Sequence, residues 1–159
     1  NLSDSSCKLI FVGKCTVETQ EHLISLCREL RVDKRVVFTG FIDEELLREL
    51  YSSAVATVLL ARQSKLSTEG FPMVIYESNA CGTPLIISSG FGSDYAILNK
   101  VNGFIVPQQD IESATEAFAQ ALEIHSSLDS RDIMKRNCVR EASRHTWSKI
   151  VPLYFDLYR

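Results

Sequence analysis

The sequence predicts a doubly wound α/β domain, in which helices cover both faces of a parallel sheet. Short apolar runs alternate with helical segments along most of the chain, and each run is apolar along its whole length. Such runs are typical of parallel strands that are buried on both faces. The length of 159 residues and the hydrophobic content of 45% fit one globular domain with its own core.

Five apolar runs are predicted as strands, and several of them end at a residue that favours a turn. They are "KLIFVG" (8–13), "RVVFTG" (35–40), "AVATVLLA" (54–61), "TPLIIS" (83–88) and "GFIVP" (103–107). In doubly wound sheets, ligands bind outside the carboxyl ends of the strands, where the strand order reverses. The loops that begin near Gly13, Gly40, Ala61 and Ser88 therefore form the predicted binding edge.

The helices are predicted from apolar residues at helical spacing and from capping residues. Asp43 and Asp110 are the predicted N-caps of two helices, whose buried stripes would include Leu46 and Ile111. Pro152 should kink or restart the last helix, because proline has no backbone donor. The helical segments are 16–30, 43–51, 72–81, 110–125, 130–145 and 146–159.

Composition and charge exclude several classes of function. The net charge of −3 gives no electrostatic case for nucleic-acid binding, which favours clustered Lys and Arg. No segment approaches about 18 consecutive apolar residues, so no membrane-spanning helix is predicted. Five cysteines without a CxxC pair and three scattered histidines predict neither a zinc site nor a disulfide framework. The first residues lack a secretory signal, so a cytoplasmic location, or the cytoplasmic face of a membrane, is expected.

Two glutamates, Glu69 and Glu77, flank the start of one predicted helix. Pro72 suits the first turn of that helix, because its missing N–H is not needed there. The free N–H groups of Met73 and Val74, together with the helix dipole, would form an anion site. Glu77 is predicted to lie about 7 Å from Pro72 along the helix axis, at ~1.5 Å per residue.

A phosphate at this helix start would have one carboxylate before it and another beyond it. A carboxylate repels phosphate, but it accepts two hydrogen bonds from vicinal hydroxyls. Two diol-bearing rings on either side of a diphosphate describe a nucleotide sugar. The alternative is a pair of ordinary glutamates in contact with water, as most helix glutamates are, and the spacing alone leaves both open.

The stretch "EGFPMVIYESNACGTPLIIS" resembles the Glu-x7-Glu segment of the retaining glycosyltransferases of family 4. These enzymes have a two-domain B-type fold, and the segment lies in the Rossmann-like half that binds the donor. The similarity extends through "LIFVGKCT", "RVVFTGFIDEELLRELYSSAVATVLLA", "VNGFIVPQQDIESATEAFAQAL" and "TWSKIVPLY". The resemblance implies that residues 1–159 are a donor-binding domain without its first strand–helix unit and without the acceptor-binding domain.

The resemblance also implies a role for each matching residue. Glu69 would be the catalytic-site residue that contacts the hydroxyls of the donor sugar, and Glu77 would hold the ribose diol. Pro72 stands where many members have Gly, and Lys65 and Arg62 on the preceding loop either reach the phosphates or face water. The other implied donor-binding positions are Gly13, Gly40, Phe41, Ile42, Gly70, Phe71, Pro72, Met73 and Val74.

The implied function is the donor-binding half of a retaining hexosyltransferase, which moves a sugar from a nucleoside diphosphate sugar to a hydroxyl acceptor. Neither a metal nor a cofactor is expected. The implied partners are the nucleotide sugar and the acceptor-binding N-terminal domain, and a peripheral membrane contact stays open through that absent half. The isolated chain is expected to be inactive. A non-catalytic nucleotide-binding or interaction domain is the first alternative, and an epimerase or phosphorylase-like enzyme is the second.

Two further motifs are predicted to be structural. Asn102 and Gly103 should form a turn into the fifth strand. "GFGSDY" (90–95) predicts a tight loop near the site, with Asp94 as a secondary contact at best. The sequence contains no Walker Lys-Ser/Thr, no GxSxG elbow and no Asp-x-Asp metal pair.

Overall fold

The structure is a computed structural model that describes residues 7–62, 72–90 and 93–158. Strands and helices alternate along the first two thirds of the chain, and three helices follow the last strand. Every pairing between the named strands is parallel. The chain separates into two compact units, Asn1–Leu47 and Arg48–Arg159. The predicted α/β class with parallel strands is therefore confirmed.

The first unit contains a two-stranded parallel sheet. Strand β1 (Leu9–Val12) pairs with β2 (Val36–Gly40), and helix α1 (Val17–Glu29) and a 3₁₀ turn (Asp33–Arg35) connect them. The Thr16 hydroxyl caps α1 by accepting a hydrogen bond from the Thr19 N–H at 3.2 Å. These elements match the predicted segments closely.

The apolar residues of β1 are not buried as predicted. Leu9, Ile10, Phe11 and Val12 keep between 37% and 44% of their surface exposed. Phe11 packs against Phe38 on β2, with ring centroids 5.0 Å apart and nearly parallel planes. The described part of this unit holds two strands and one complete α-helix, too few elements to cover both faces of a sheet.

The second unit is built on three parallel strands in the order β3-β4-β5. They are β3 (Thr57–Leu59), β4 (Leu85–Ser88) and β5 (Gly103–Val106). The central strand β4 is completely buried. Ile86 belongs to one core cluster with Phe104 and Val106, whereas Leu85 and Ile87 belong to another. Alternate β4 side chains thus reach two separate cores, which is the two-sided burial that the sequence predicts for a parallel strand.

The helices that follow are α2 (Glu44–Ser53), α3 (Val74–Ala80), α4 (Ser93–Ala96), α5 (Ile111–Ser126), α6 (Leu128–Ser143) and α7 (Trp147–Leu157). Helix α3 packs against α6, and α5 packs against both α6 and the sheet. Both predicted caps are present. The Asp43 carboxylate accepts a hydrogen bond from the Leu46 N–H at 2.8 Å, and Asp110 accepts one from the Ser113 N–H at 2.9 Å.

Two residues predicted to be buried are exposed. Ile111 is 82% exposed, because it is the first residue of α5 and precedes the part of the helix that contacts the core. Three alanines form the buried face of α5 instead, and they are Ala114, Ala117 and Ala121. Leu46 is 42% exposed, whereas its neighbour Leu47 is partly buried.

Pro152 does not restart the last helix. Helix α7 runs without interruption from Trp147 to Leu157, with Pro152 inside it. The helix is already established before the proline, since the Lys149 and Ile150 N–H groups both donate to the Thr146 carbonyl. Proline removes one backbone hydrogen bond there, and α7 continues past it.

Candidate functional site

The start of α3 lies at the predicted binding edge of the second unit. Pro72 is buried, and Met73 already has a helical backbone conformation, with φ −60° and ψ −25°. The Ile75 N–H donates to the Pro72 carbonyl at 3.2 Å, and the Tyr76 N–H donates to the Met73 carbonyl at 2.9 Å. Pro72 therefore lies in the first turn, where its missing N–H removes no helix hydrogen bond.

The Met73 and Val74 N–H groups have no acceptor within the described part of the chain. Such free donors are normal at the first turn of a helix. The Met73 side chain is 53% exposed, and that of Val74 is partly buried. The availability of these two N–H groups to an anion stays a prediction, because residues 63–71 precede them directly.

Glu69, Gly70 and Phe71 lie outside the described residues, as does Lys65. Their predicted roles stay predictions. Arg62 is the last described residue before this segment, and its side chain is exposed.

Glu77 is exposed one turn inside α3, and a second side chain holds its carboxylate. The Tyr51 hydroxyl donates a hydrogen bond to Glu77 Oε2 at 3.1 Å. Burial raises the pKa of Tyr51 well above its usual value of 10.0, and the Glu77 carboxylate raises it further. The phenol is therefore protonated at neutral pH and serves as a donor to Glu77.

On the face of α3 opposite to Glu77, the buried side chain of Asn79 forms an amide pair with Asn102. Asn79 Nδ2 donates to the Asn102 carbonyl at 3.1 Å and to the Thr83 carbonyl at 3.0 Å. Asn102 Nδ2 donates to Asn79 Oδ1 at 2.6 Å and to the Ala96 carbonyl at 3.0 Å. Its own Oδ1 accepts from the Leu98 N–H at 2.7 Å. This pair joins α3 to the turn before β5.

Sequence reasoning predicted the turn at Asn102 but missed its partner. The turn is present, and Gly103 is required after it, since a Cβ there would lie 2.5 Å from the Leu85 carbonyl oxygen. In the sequence, Asn79 is recognisable only as a polar residue among the apolar positions of α3. Nothing in the local spacing identifies Asn102 as its partner.

In the first unit, the structure brings Gly13 and Gly40 together at the carboxyl ends of β1 and β2. The Gly13 N–H donates to the Gly40 carbonyl at 2.9 Å. Both residues have positive φ, 109° for Gly13 and 66° for Gly40, which favours glycine at these positions. A Cβ on either residue would meet no atom within 4 Å, so the surface beside them is open. Next to them, Phe41 is 79% exposed and Ile42 is partly buried.

A cavity of about 390 Å³ lies elsewhere in the second unit. Its lining includes Ala54 and Val55, which precede β3, and Thr83 and Pro84, which precede β4. These residues are at the amino ends of the strands, opposite to the edge where ligands bind in such sheets. The cavity contains none of the predicted donor-binding residues and is not the candidate site.

Among the residues that the structure describes, no helix is both long and apolar enough to cross a membrane. No group of three or more His, Cys, Asp or Glu side chains in those ranges could hold a metal ion. The expected metal independence stays a prediction, because residues 63–71, between β3 and α3, lie outside the described residues.

The parallel strands and the helices packed against them define an α/β fold of the doubly wound type. The chain belongs to the family described as glycosyl transferases group 1, whose sequence profile matches residues 1–141. The structure is similar to sucrose-phosphate synthase from Thermosynechococcus elongatus, with a TM-score of 0.76 and 28% identity. That similarity covers 96% of this chain and 38% of the synthase. The prediction of one half of a glycosyltransferase B-type fold is therefore confirmed.

Curated relatives agree with the family. The chain is 28% identical over 159 residues to an uncharacterised glycosyltransferase of Methanocaldococcus jannaschii, covering 99% of this chain and 38% of that protein. It is 27% identical over 143 residues to a D-inositol 3-phosphate glycosyltransferase of Saccharomonospora viridis, covering 90% of this chain and 31% of the relative. The chain thus spans about a third of the length of these relatives.

Proposed function

We propose that this chain is the donor-binding part of a retaining glycosyltransferase of family 4. It would bind a nucleoside diphosphate sugar, whose sugar is transferred to a hydroxyl acceptor. The observation that carries the proposal is the Glu77 carboxylate, exposed on α3 and held by Tyr51 through one of its oxygens. Because the chain belongs to the glycosyl transferases group 1 family, we propose that this carboxylate takes part in donor binding.

The ribose of the donor would bind at the Glu77 carboxylate. A carboxylate has two oxygens and about four acceptor positions. Tyr51 uses one position on Oε2, and within the described residues Oε1 has no hydrogen-bond partner, so Oε1 would accept hydrogen bonds from the two hydroxyls of a ribose. Hydrogen bonds to a charged acceptor contribute about 1.5–3 kcal/mol, which suits a residue that anchors the nucleotide.

The diphosphate would lie beside the Met73 and Val74 N–H groups, which precede Glu77 at the start of the same helix. Departure of the sugar leaves negative charge on the diphosphate, and fixed backbone donors stabilise such charge without reorganising. This arrangement needs no metal ion, and we propose that donor binding is metal-independent.

The sugar and the nucleotide would contact two further sets of residues. Glu69, with Gly70 and Phe71, would contact the sugar, and Glu69 would be the catalytic-site residue. Gly13 and Gly40 leave open surface at the ends of their strands, which suits the close approach of a nucleotide to the backbone. In a retaining enzyme the acceptor attacks on the face from which the diphosphate departs, and we propose that the N-terminal domain implied by the resemblance holds that acceptor.

The names of two relatives support the reaction class. One is a D-inositol 3-phosphate glycosyltransferase and the other a sucrose-phosphate synthase. We therefore propose that the whole protein transfers sugar to a hydroxyl group, at the cytoplasm or the cytoplasmic face of a membrane.

The experiment is calorimetry on the full-length protein, with uridine, guanosine and adenosine diphosphates and their hexose derivatives, each with and without a chelator. We expect binding of at least one nucleotide and one nucleotide sugar, unchanged by the chelator. Loss of binding with the chelator would contradict metal independence, and failure to bind any donor would overturn the donor-binding role. For an active donor, retention requires that an α-linked sugar gives an α-linked product, as read by NMR.

A further inference from the structure

We infer that Tyr51 positions the Glu77 carboxylate for the ribose diol of the donor, an inference that rests on the proposed function. The two residues are on different helices, α2 and α3, and the Tyr51 hydroxyl reaches Glu77 Oε2 at 3.1 Å. Tyr51 contacts Glu77 rather than the reacting atoms, so it is a positioning residue.

The backbone of Tyr51 is held in place independently of Glu77. The Thr83 hydroxyl donates a hydrogen bond to the Tyr51 carbonyl, and the Ala54 N–H donates to the same oxygen at 3.2 Å. Thr83 is itself buried, with 2% of its surface exposed, and it lies between α3 and β4. The tyrosine therefore approaches Glu77 from a fixed backbone rather than from a mobile loop.

Glu77 needs such a partner because its side chain is exposed. An exposed glutamate on a helix samples several rotamers, and each bound ligand must then select one of them. A hydrogen bond from a fixed phenol restricts the carboxylate to the rotamers that reach Tyr51, and none of the described residues donates to Oε1. Burial and the nearby carboxylate keep the phenol protonated, so this donor is present at neutral pH.

The inference predicts an effect that depends on the ribose hydroxyls alone. A nucleoside diphosphate and its 2′,3′-dideoxy counterpart share base and phosphates and differ only in the diol. If Tyr51 orients Glu77 toward the diol, loss of its hydroxyl should weaken the first ligand and not the second. A tyrosine that only stabilises the fold would weaken both ligands equally.

The experiment measures the affinities of the full-length protein and its Tyr51→Phe variant for both ligands, using the nucleoside diphosphate that the wild type binds best. We expect the wild type to prefer the ribose form by about tenfold or more, as for hydrogen bonds to a charged group. In Tyr51→Phe that preference should fall roughly three- to tenfold, with the dideoxy affinity unchanged. Tyr76→Phe is the matched control, since it removes a phenolic hydroxyl from α3 without touching the Tyr51–Glu77 bond.

Two further variants keep the test decisive. In the Glu77→Gln background, Tyr51→Phe should change the ribose preference much less, because the charged acceptor is gone. Thr83→Val removes the anchor of the Tyr51 carbonyl and should lower the ribose preference in the same direction. Thr83→Val gives the answer if Tyr51→Phe does not fold.

The outcomes are distinguishable. A wild-type protein that binds no nucleotide overturns the proposed function, and the inference falls with it. A wild-type protein that binds both ligands equally refutes the ribose role of Glu77 and with it the role of Tyr51. A ribose preference that survives Tyr51→Phe, or equal weakening of both ligands, overturns the inference while the proposed function stands.

Discussion

At the scale of single residues, the environments of Glu77 and Asn79 on α3 indicate different roles for these two polar side chains. Glu77 is exposed and has a donor on one oxygen, whereas Asn79 is buried and has all its polar atoms paired within the fold. Glu77 therefore has an acceptor oxygen available to a ligand. Asn79 has no polar atom available to a ligand, and its hydrogen bonds contribute to stability.

The first prediction concerns the two glutamates. Glu77→Ala should weaken both nucleotide and nucleotide sugar, by about tenfold or more, because a charged hydrogen-bond acceptor is lost. Glu69→Ala should weaken mainly the sugar-bearing ligand. Calorimetry with a nucleoside diphosphate and its hexose derivative separates the two effects. Glu123→Ala on α5 is the control, since it removes an exposed helix glutamate outside the candidate site. Unchanged nucleotide affinity in Glu77→Ala would show that the ribose assignment is wrong.

The second prediction concerns the buried amide pair. Asn102→Ala should lower the free energy of unfolding by about 3 kcal/mol or more, because each buried group left unpaired costs about 1–3 kcal/mol. The Leu98 N–H and Asn79 Oδ1 would both lose their partners. Urea denaturation measures the change, and Asn137→Ala on the partly buried face of α6 is the control. A loss no larger than in the control would show that the pair is not structural.

These residues also show where sequence reasoning stops. The pairs Asn79–Asn102 and Tyr51–Glu77 join residues 23 and 26 positions apart, and no local spacing connects them. Glu77, Pro72 and Gly13 were found because their types fit a helix start or a strand end. A residue whose role depends on a distant partner requires the tertiary structure.

At the scale of elements, periodicity and capping predicted every strand and the longer helices to within a few residues. Helix α4 was missed, because its four residues are too few for a periodic pattern. Burial was predicted less well than element type. The apolar runs of β1 and β4 look alike in sequence, yet β1 is exposed and β4 is buried, because burial depends on the elements packed against each strand.

The third prediction concerns the cap of α5. Hydrogen bonds from the Ser113 hydroxyl and N–H lower the pKa of Asp110 below its usual value of 3.8. A carboxyl with a lowered folded-state pKa stabilises the fold above its unfolded pKa, and that stabilisation disappears as the pH falls through the folded value. Melting temperatures of wild type and Asp110→Ala should therefore differ at pH 7 and converge below about pH 4. A difference that is constant between pH 7 and pH 3 would contradict the role of the charge. Ser127→Ala, which removes the uncharged cap of α6, is the control and should show no such dependence.

Helix α7 has an exposed apolar surface. Leu153 is 65% exposed, Tyr154 58% and Phe155 67%, whereas Ile150 is partly buried. Exposed apolar side chains in such number mark an interaction site or promote association when they form one patch. The resemblance implies that the acceptor-binding domain covers it.

At the scale of the whole molecule, the chain spans 38% of the Methanocaldococcus relative and 31% of the Saccharomonospora relative. The described residues provide a candidate donor site but no identified acceptor site. Donor binding and sugar transfer are therefore separate proposals, and they require separate measurements.

The fourth prediction is that the 159-residue chain binds the donor but does not transfer its sugar at a useful rate. Holding two reactants together supplies about 7–11 kcal/mol of a barrier, and under the proposed function the acceptor is held by residues outside this chain. A transfer assay against a panel of donors and acceptors should compare the isolated chain with the full-length protein at equal donor saturation. The full-length protein with Glu69→Ala is the control for loss of chemistry without loss of the acceptor domain. Turnover by the isolated chain that matches the full-length protein would refute the assignment of these residues as the donor-binding half alone.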